Sequence, residues 1–155
     1  NKVTDVYKKI VALLEGRGVE YTAGHHEVTL TSEDAARIRG TAMHAGAKAL
    51  AMSGRRTGTN WLFVVPADLR LDTKKVKEIV GERVSFCPNL EEVTGCKPGS
   101  MSPFGSVVGL KTYLDPKLSD NEYIDFNAGS LTDSIDMKYE DYVAVEQPEI
   151  VDVTE

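Results

Sequence analysis

The sequence predicts a mixed α/β fold in one domain, a mixed sheet with helices packed around it. Three observations point there. The 155 residues, 41% hydrophobic and 27% charged, have the size and composition of one globular unit. Helical and strand patterns alternate in short lengths without the regular strand–helix–strand repeat of a doubly wound sheet. No linker, internal repeat or low-complexity tract divides the chain.

Val3, Val6, Tyr7, Ile10, Leu13 and Leu14 recur at three- and four-residue spacing, so the sequence predicts a helix from Thr4 to Arg17. Gly16 or Gly18 supplies its stop. Val19–Thr22 and Glu27–Leu30 read as short strands. Thr31-Ser32-Glu33-Asp34 then caps a short helix through Ile38, and Gly40 ends it. Ala45–Met52 and the branched apolar run Trp61–Val65 read as sheet strands, separated by the polar turn Ser53–Asn60. Asp72-Thr73 caps a second amphipathic helix, Lys74–Val80, stopped by Gly81, before a strand at Val84–Phe86 and a helical turn across Pro88–Gly95. Cys96–Gly105 is a Gly, Pro and Ser loop set between strands, with strand character returning at Val107–Leu114 and Tyr123–Phe126.

Charge is unevenly distributed. The net charge is −6, yet all 18 Lys and Arg precede Glu140 and six of the 24 acids follow from it onward, so residues 1–139 are formally neutral. The acidic excess marks Tyr139–Glu155 as a last element followed by a solvated tail over 146–155. Such a balance argues against broad binding to a nucleic-acid duplex, DNA included, but permits local contact with RNA. No apolar run reaches the roughly 20 residues of a membrane span, and the start carries no signal-peptide pattern. A soluble cytoplasmic protein without a membrane partner is expected. Cys87 and Cys96 form no C-x-x-C pair, and His25, His26 and His44 lack zinc spacing, so reduced thiols, no metal and no cofactor are expected.

Three constellations can carry chemistry. Lys48 is the only charge in His44-Ala-Gly46-Ala-Lys48-Ala-Leu-Ala-Met52; it reads first as a surface lysine on a solvent-facing strand position, and second as a cation projected into a pocket by small neighbours. Gly99-Ser100-Met101-Ser102-Pro103-Phe104-Gly105 is either a tight connection or a stiffened loop offering its backbone to a ligand. Asn127-Ala128-Gly129-Ser130, followed by Leu131-Thr132-Asp133-Ser134, is either turn chemistry or a binding loop at a strand end. The phosphate-binding and nucleophile-elbow glycine motifs are absent, which removes nucleotide hydrolysis and serine-hydrolase chemistry. His44, and less so the His25–His26 pair, could serve as a base. Neither cysteine has an activating basic neighbour in sequence.

In this order and spacing the pieces resemble the YbaK/EbsC family of aminoacyl-tRNA deacylases, related to the editing domain inserted in bacterial prolyl-tRNA synthetases. The resemblance rests on Gly46-Ala47-Lys48-Ala49-Leu50, on Trp61–Leu69 with its Pro-Ala-Asp-Leu turn, on the G-x-x-x-P loop Gly99–Pro103, and on Asn127-Ala-Gly-Ser. It implies a partly barrel-like mixed sheet over residues 1–145, with a pocket between the lysine strand and the G-x-x-x-P loop that takes the aminoacylated 3′ end of tRNA. It further implies that Lys48 binds the terminal adenosine and its phosphate while Gly99, Ser102 and Pro103 position the ester. His44, Gly46, Met101, Phe104, Gly105 and Asn127–Ser130 would then line the substrate. Asn127 stands where several relatives carry a histidine. Hydrolysis in such a site needs no protein nucleophile, because a positioned water or a group of the substrate can attack an activated ester. The implied activity is trans-editing of a small amino acid of the alanine, serine or cysteine class. The alternative is a non-catalytic module that binds tRNA or an aminoacyl-tRNA synthetase, with which Asn1 in place of a starting Met is compatible.

Overall fold

A computed structural model describes residues 4–28, 33, 37 and 42–155. Most of the expected strand Glu27–Leu30 and helix through Ile38 lies outside the described residues.

The chain opens with α1 (Asp5–Gly16), where Val6, Ile10 and Leu14 form the buried stripe and the Thr4 hydroxyl accepts the Tyr7 amide as an N-cap. β1 (Tyr21–His25) follows. After a 3-10 turn at Met43–Ala45 come β2 (Ala47–Gly54) and β3 (Asn60–Pro66), paired antiparallel from Ala47 opposite Pro66 to Ser53 opposite Asn60. α2 (Thr73–Val80) begins at Asp72, whose carboxylate accepts the Lys74 and Lys75 amides, and ends at Gly81 in the left-handed conformation. β4 (Val84–Phe86), α3 (Leu90–Thr94), β5 (Lys111–Leu114), β6 (Tyr123–Asn127), β7 (Asp133–Lys138), α4 (Tyr139–Glu146) and β8 (Glu149–Ile150) complete the order.

Two sheets result. A five-stranded mixed sheet runs β4-β2-β3-β5-β8, and a three-stranded antiparallel sheet runs β1-β7-β6. They meet where Gly46 bridges Asp125, which gives the partly barrel-like closure. One core lies between the sheets, α1 and α4, with Ile10, Leu14, Leu62, Phe104, Phe126, Ile135 and Tyr142 at most 1% exposed. A second lies under α2 on the other face of the five-stranded sheet, around Met52, Phe63, Val65, Val76 and Tyr113. That sheet is therefore buried on both faces, which explains the continuous apolar run of β3.

The structure departs from the sequence reading in three places. Val107 and Val108 belong to a 3-10 turn, Gly105–Val108, and β5 starts only at Lys111; Gly109 at φ +77° reverses the chain and Leu110 donates back to the Gly105 carbonyl. β7 emerges from a stretch read as turn chemistry, and it is the central strand of its sheet. The segment expected as a solvated tail is laid against the protein. β8 pairs parallel with β5, Val153 and Thr154 have no exposed surface, and the buried Asp115 carboxylate accepts the Val153 amide at 2.9 Å and the Thr154 hydroxyl at 3.0 Å. Lys75 and Lys117 neutralise Asp152 on the outside and hold its carboxyl down at about 2, with the Lys75 hydrogen bond as the main cause.

Candidate active site

Tyr142 fixes the Gly99–Gly105 loop from below. Its hydroxyl, wholly buried on α4, donates to the Pro103 carbonyl at 2.6 Å. Burial, with Glu146 and Tyr139 adding to it, drives this phenol well above its ordinary value, so it remains a donor. Phe104, expected to touch substrate, instead packs its ring edge-on against Phe126 and Tyr142 at centroid distances of 5.8 and 5.0 Å and has no exposed surface. It anchors the loop rather than lining it, and buried Gly105 marks where the chain turns inward. Gly99 adopts φ +85°, and the Ser100 hydroxyl donates to the Lys97 carbonyl at 2.7 Å. The Ser102 hydroxyl accepts the Phe104 amide at 3.2 Å. The Met101 and Ser102 amides donate to no acceptor among the described residues.

The second loop is bonded directly to the first. Asn127 donates its amide to the Gly99 carbonyl at 2.6 Å, and the Gly129 amide donates to the Ser100 carbonyl at 2.9 Å. The side-chain oxygen of Asn127 is buried and has no hydrogen-bond partner among the described residues. Gly129 sits at φ +79° against α1, where an added Cβ would stand 2.7 Å from Val6 Cγ1. Ala128 is fully buried, and the Ser130 and Thr132 hydroxyls bond each other at 2.9 Å. The sequence-derived residues of the two loops thus form one constellation.

Lys48 stands apart from it. By strand alternation it shares a face of β2 with Leu50 and Met52, whereas Ala47 and Ala51 face the core that contains Met101 and Phe104. Its ammonium donates to the Leu69 carbonyl at 3.3 Å. Partial burial, and secondarily Arg70, lowers its affinity for the proton, against which Asp68 works. Beside it His44 bridges two carboxylates, with Nδ1 2.9 Å from Asp68 and Nε2 2.9 Å from Asp120. Those hydrogen bonds, Asp120 first, raise His44 above the ordinary imidazole value. Asn121 ties the same turn by donating to the His44 carbonyl at 2.9 Å.

The sequence reading underweighted one pair at the loop constellation. His25 Nδ1 lies 2.9 Å from Asp133, a mostly buried carboxylate whose carbonyl accepts the Ala128 amide at 3.0 Å. The charge of Asp133 also reaches Tyr7 on α1, raising that phenol after burial has done so. The two residues are 108 positions apart, and only the pairing of β1 with β7 brings them together. Both cysteines are free and buried, and burial pushes the Cys96 thiol up, away from nucleophile chemistry. Among the described residues no cluster of three His, Cys, Asp or Glu could hold a metal, and no helix is long and apolar enough to cross a membrane.

Solved structures carry the same architecture over almost the whole chain. One described as a candidate trans-editing enzyme for prolyl tRNA synthetase has a TM-score of 0.84 at 23% identity, covering 99% of each chain. Another, a hypothetical protein, has a TM-score of 0.85 at 22% identity, covering 95% of this chain and 99% of that one. These likenesses establish the fold class, that of the editing-type mixed α/β domains. The aminoacyl-tRNA editing domain matches residues 26–145. The multifunctional Ser/Thr-tRNA deacylase ProXp-y of Escherichia coli K12 is 35% identical over 151 residues, or 94% of this chain and 90% of the relative. The chain belongs to the aminoacyl-tRNA editing domain family. It is an aminoacyl-tRNA deacylase, and its substrate is aminoacyl-tRNA.

Proposed function

We propose that the enzyme acts in trans on tRNA mischarged with a small hydroxyl-bearing amino acid, serine first and threonine with it. The observation that carries this is the Asn127 side-chain oxygen, buried beside the Gly99 carbonyl without a hydrogen-bond donor among the described residues. An orphaned buried acceptor costs about 1–3 kcal/mol, which a donor from the substrate relieves. Serine supplies that donor in its hydroxyl and alanine does not. A site built around such a bond discriminates far better than one relying on pocket size, worth only about 1–3 kcal/mol per methylene. The activity named for the Escherichia coli relative, Ser/Thr-tRNA deacylation, supports serine within the alanine, serine and cysteine class and adds threonine to it.

In this reading the two loops hold the ester. Water adds to the ester carbonyl, the tetrahedral intermediate expels the ribose oxygen, and a proton passes from the attacking water to that oxygen. The Met101 and Ser102 amides, which donate to no acceptor among the described residues, are the donors for the developing oxyanion. Gly99 and Pro103 set the curvature that presents them, and His25, oriented by Asp133, stands at the edge as the base for the water. Lys48 reaches the terminal adenosine and its phosphate around the end of β2 near Gly46, with two N–H groups left after its bond to Leu69. His44 holds the turn beside it. The editing unit, first read as residues 1–145, extends here through Thr154, because that segment completes both the sheet and the bonding of Asp115. A synthetase that supplies mischarged tRNA is the natural second partner, as the description of one structural neighbour suggests.

The test is deacylation of tRNAs charged with alanine, serine, threonine, cysteine and proline by the wild type, Lys48→Ala and Asn127→Ala. Selective, Lys48-dependent release of serine and threonine is expected, with Asn127→Ala losing about tenfold to a hundredfold in kcat/KM on these substrates and little on alanine. Equal losses on serine and alanine would remove Asn127 from specificity. Release from no tRNA would leave the binding module as the better account.

A further inference from the structure

We infer that the groove between α2, the turn joining β2 to β3, and β4 binds the sugar-phosphate backbone of the tRNA substrate, away from its esterified end. The inference rests on the deacylase reading for its ligand. The groove has a volume of about 380 Å³ and is lined by Arg55, Thr73, Lys74, Lys77, Arg83 and Val84. That is a size typical of ligand clefts, roughly 300–1,000 Å³. Four of its six lining residues are cations and none is an acid.

These cations are unspent. Arg55, Lys74, Lys77 and Arg83 are exposed, and none makes an ion pair with a described residue. Nearby and on the adjoining sheet edge, by contrast, Asp152 neutralises Lys75 and Lys117, and Glu149 neutralises Lys111. In a chain of net charge −6, four unpaired cations around one groove form a local field that the overall charge conceals.

The groove is also built. The Glu82 carboxylate, 7% exposed, accepts the Arg56 amide at 2.7 Å, the Thr57 amide at 3.0 Å and the Thr57 hydroxyl at 2.7 Å. Its charge is absorbed inside the turn, chiefly by Thr57, which holds this carboxyl below its ordinary value. A side chain at Gly54 would collide with it. The Arg55 amide donates to the Arg83 carbonyl at 2.8 Å, fixing the two arginines side by side. Backbone geometry therefore sets the spacing of the two arginine positions.

Position selects the occupant. Arg55 lies seven residues along from Lys48, roughly 23 Å at the strand rise of ~3.3 Å per residue. That distance spans several nucleotides of an RNA strand whose terminal adenosine and phosphate are held by Lys48. Phosphates with unpaired Arg and Lys give sequence-independent affinity that falls steeply with salt.

The experiment replaces Arg55, Lys74, Lys77 and Arg83 together by Gln and confirms folding by circular dichroism. Binding of uncharged tRNA is measured by anisotropy from 50 to 300 mM salt, and deacylation is measured on full-length seryl-tRNA and on a short seryl-oligonucleotide of the 3′ end. Expected are a shallower log K against log salt slope by about 3, roughly 0.7–0.9 for each lost phosphate contact. KM for full-length tRNA should rise at least tenfold, with kcat and the short substrate unchanged. An unchanged slope and KM, an equal loss on the short substrate, or wild-type binding to phosphatidylserine vesicles in preference to tRNA would each overturn the inference. If the wild type hydrolyses neither substrate, the deacylation mechanism falls while the salt slope still decides the groove.

Discussion

Tyr142→Phe removes one oxygen from the core and nothing from its packing. The ring stays against Phe104 at 5.0 Å, but the Pro103 carbonyl loses the hydroxyl that donates to it at 2.6 Å. The residue is fully buried, so no water replaces the donor. A buried acceptor left unpaired costs about 1–3 kcal/mol. At about 2 kcal/mol, and roughly 2–4 °C per kcal/mol for a domain of this size, Tm should fall by about 4–8 °C in a calorimetric melt. The same bond holds the loop that presents the Met101 and Ser102 amides. Its loss should therefore lower kcat on seryl-tRNA by about tenfold or more, since small misplacements of positioning groups are costly. A Tm within one degree of wild type together with unchanged kcat would refute the reasoning. A lowered Tm with unchanged kcat would confine the bond to stability.

Gly129→Ala should be more damaging to the fold. The left-handed backbone costs a β-carbon roughly 1–2 kcal/mol, and contact with Val6 at 2.7 Å forces α1 outward. Together they predict a loss of about 3 kcal/mol in urea unfolding, and a loss below about 1 kcal/mol would sink the argument. His44→Gln tests the bridge to Asp68 and Asp120. Because the folded imidazole binds its proton more tightly than the unfolded one, the bridge stabilises fully below the unfolded value near 6.5 and less as pH rises through the folded value. Urea midpoints from pH 5.5 to 8.5 should converge for wild type and variant at the alkaline end. A gap that is constant across the range would show that protonation plays no part.

Local signals were the legible ones. The stripe and Thr4 cap of α1, the Asp72 cap and Gly81 stop of α2, and the branched run of β3 each act over a few residues, and each appears where the pattern put it. Gly99, Pro103 and Gly129 marked the two loops as turns, and the order and spacing of the family resemblance marked them as a site. What escaped notice depends on distant partners. β7 is a strand because β1 and β6 satisfy both its edges, and its alternating Asp136 and Lys138 gave no apolar run. His25 and Asp133 meet only through that pairing. The acids after Glu140 suggested solvation, but Glu149 and Asp152 turn outward to Lys111 and Lys75 while Val153 turns in. The direction in which Lys48 leaves its strand likewise followed from the two cores on either side of β2, which its small neighbours did not reveal.

The bonding of Asp115 has a consequence for how the protein is made. Lys117 holds Oδ1 of its buried carboxylate, Val153 and Thr154 satisfy Oδ2, and β8 closes the parallel edge of β5 by pairing Glu149 with Tyr113 and Ile150 with Leu114. A nascent chain emerging from the ribosome amino end first can assemble α1, the β2–β3 hairpin and α2, yet Oδ2 of Asp115 lacks its two donors until residues 149–154 are released. Completion of the central sheet thus waits on the release of residues 149–154, and chains halted before that point keep an open sheet edge and a buried carboxylate short of two hydrogen bonds, the features that quality-control proteases and chaperones engage.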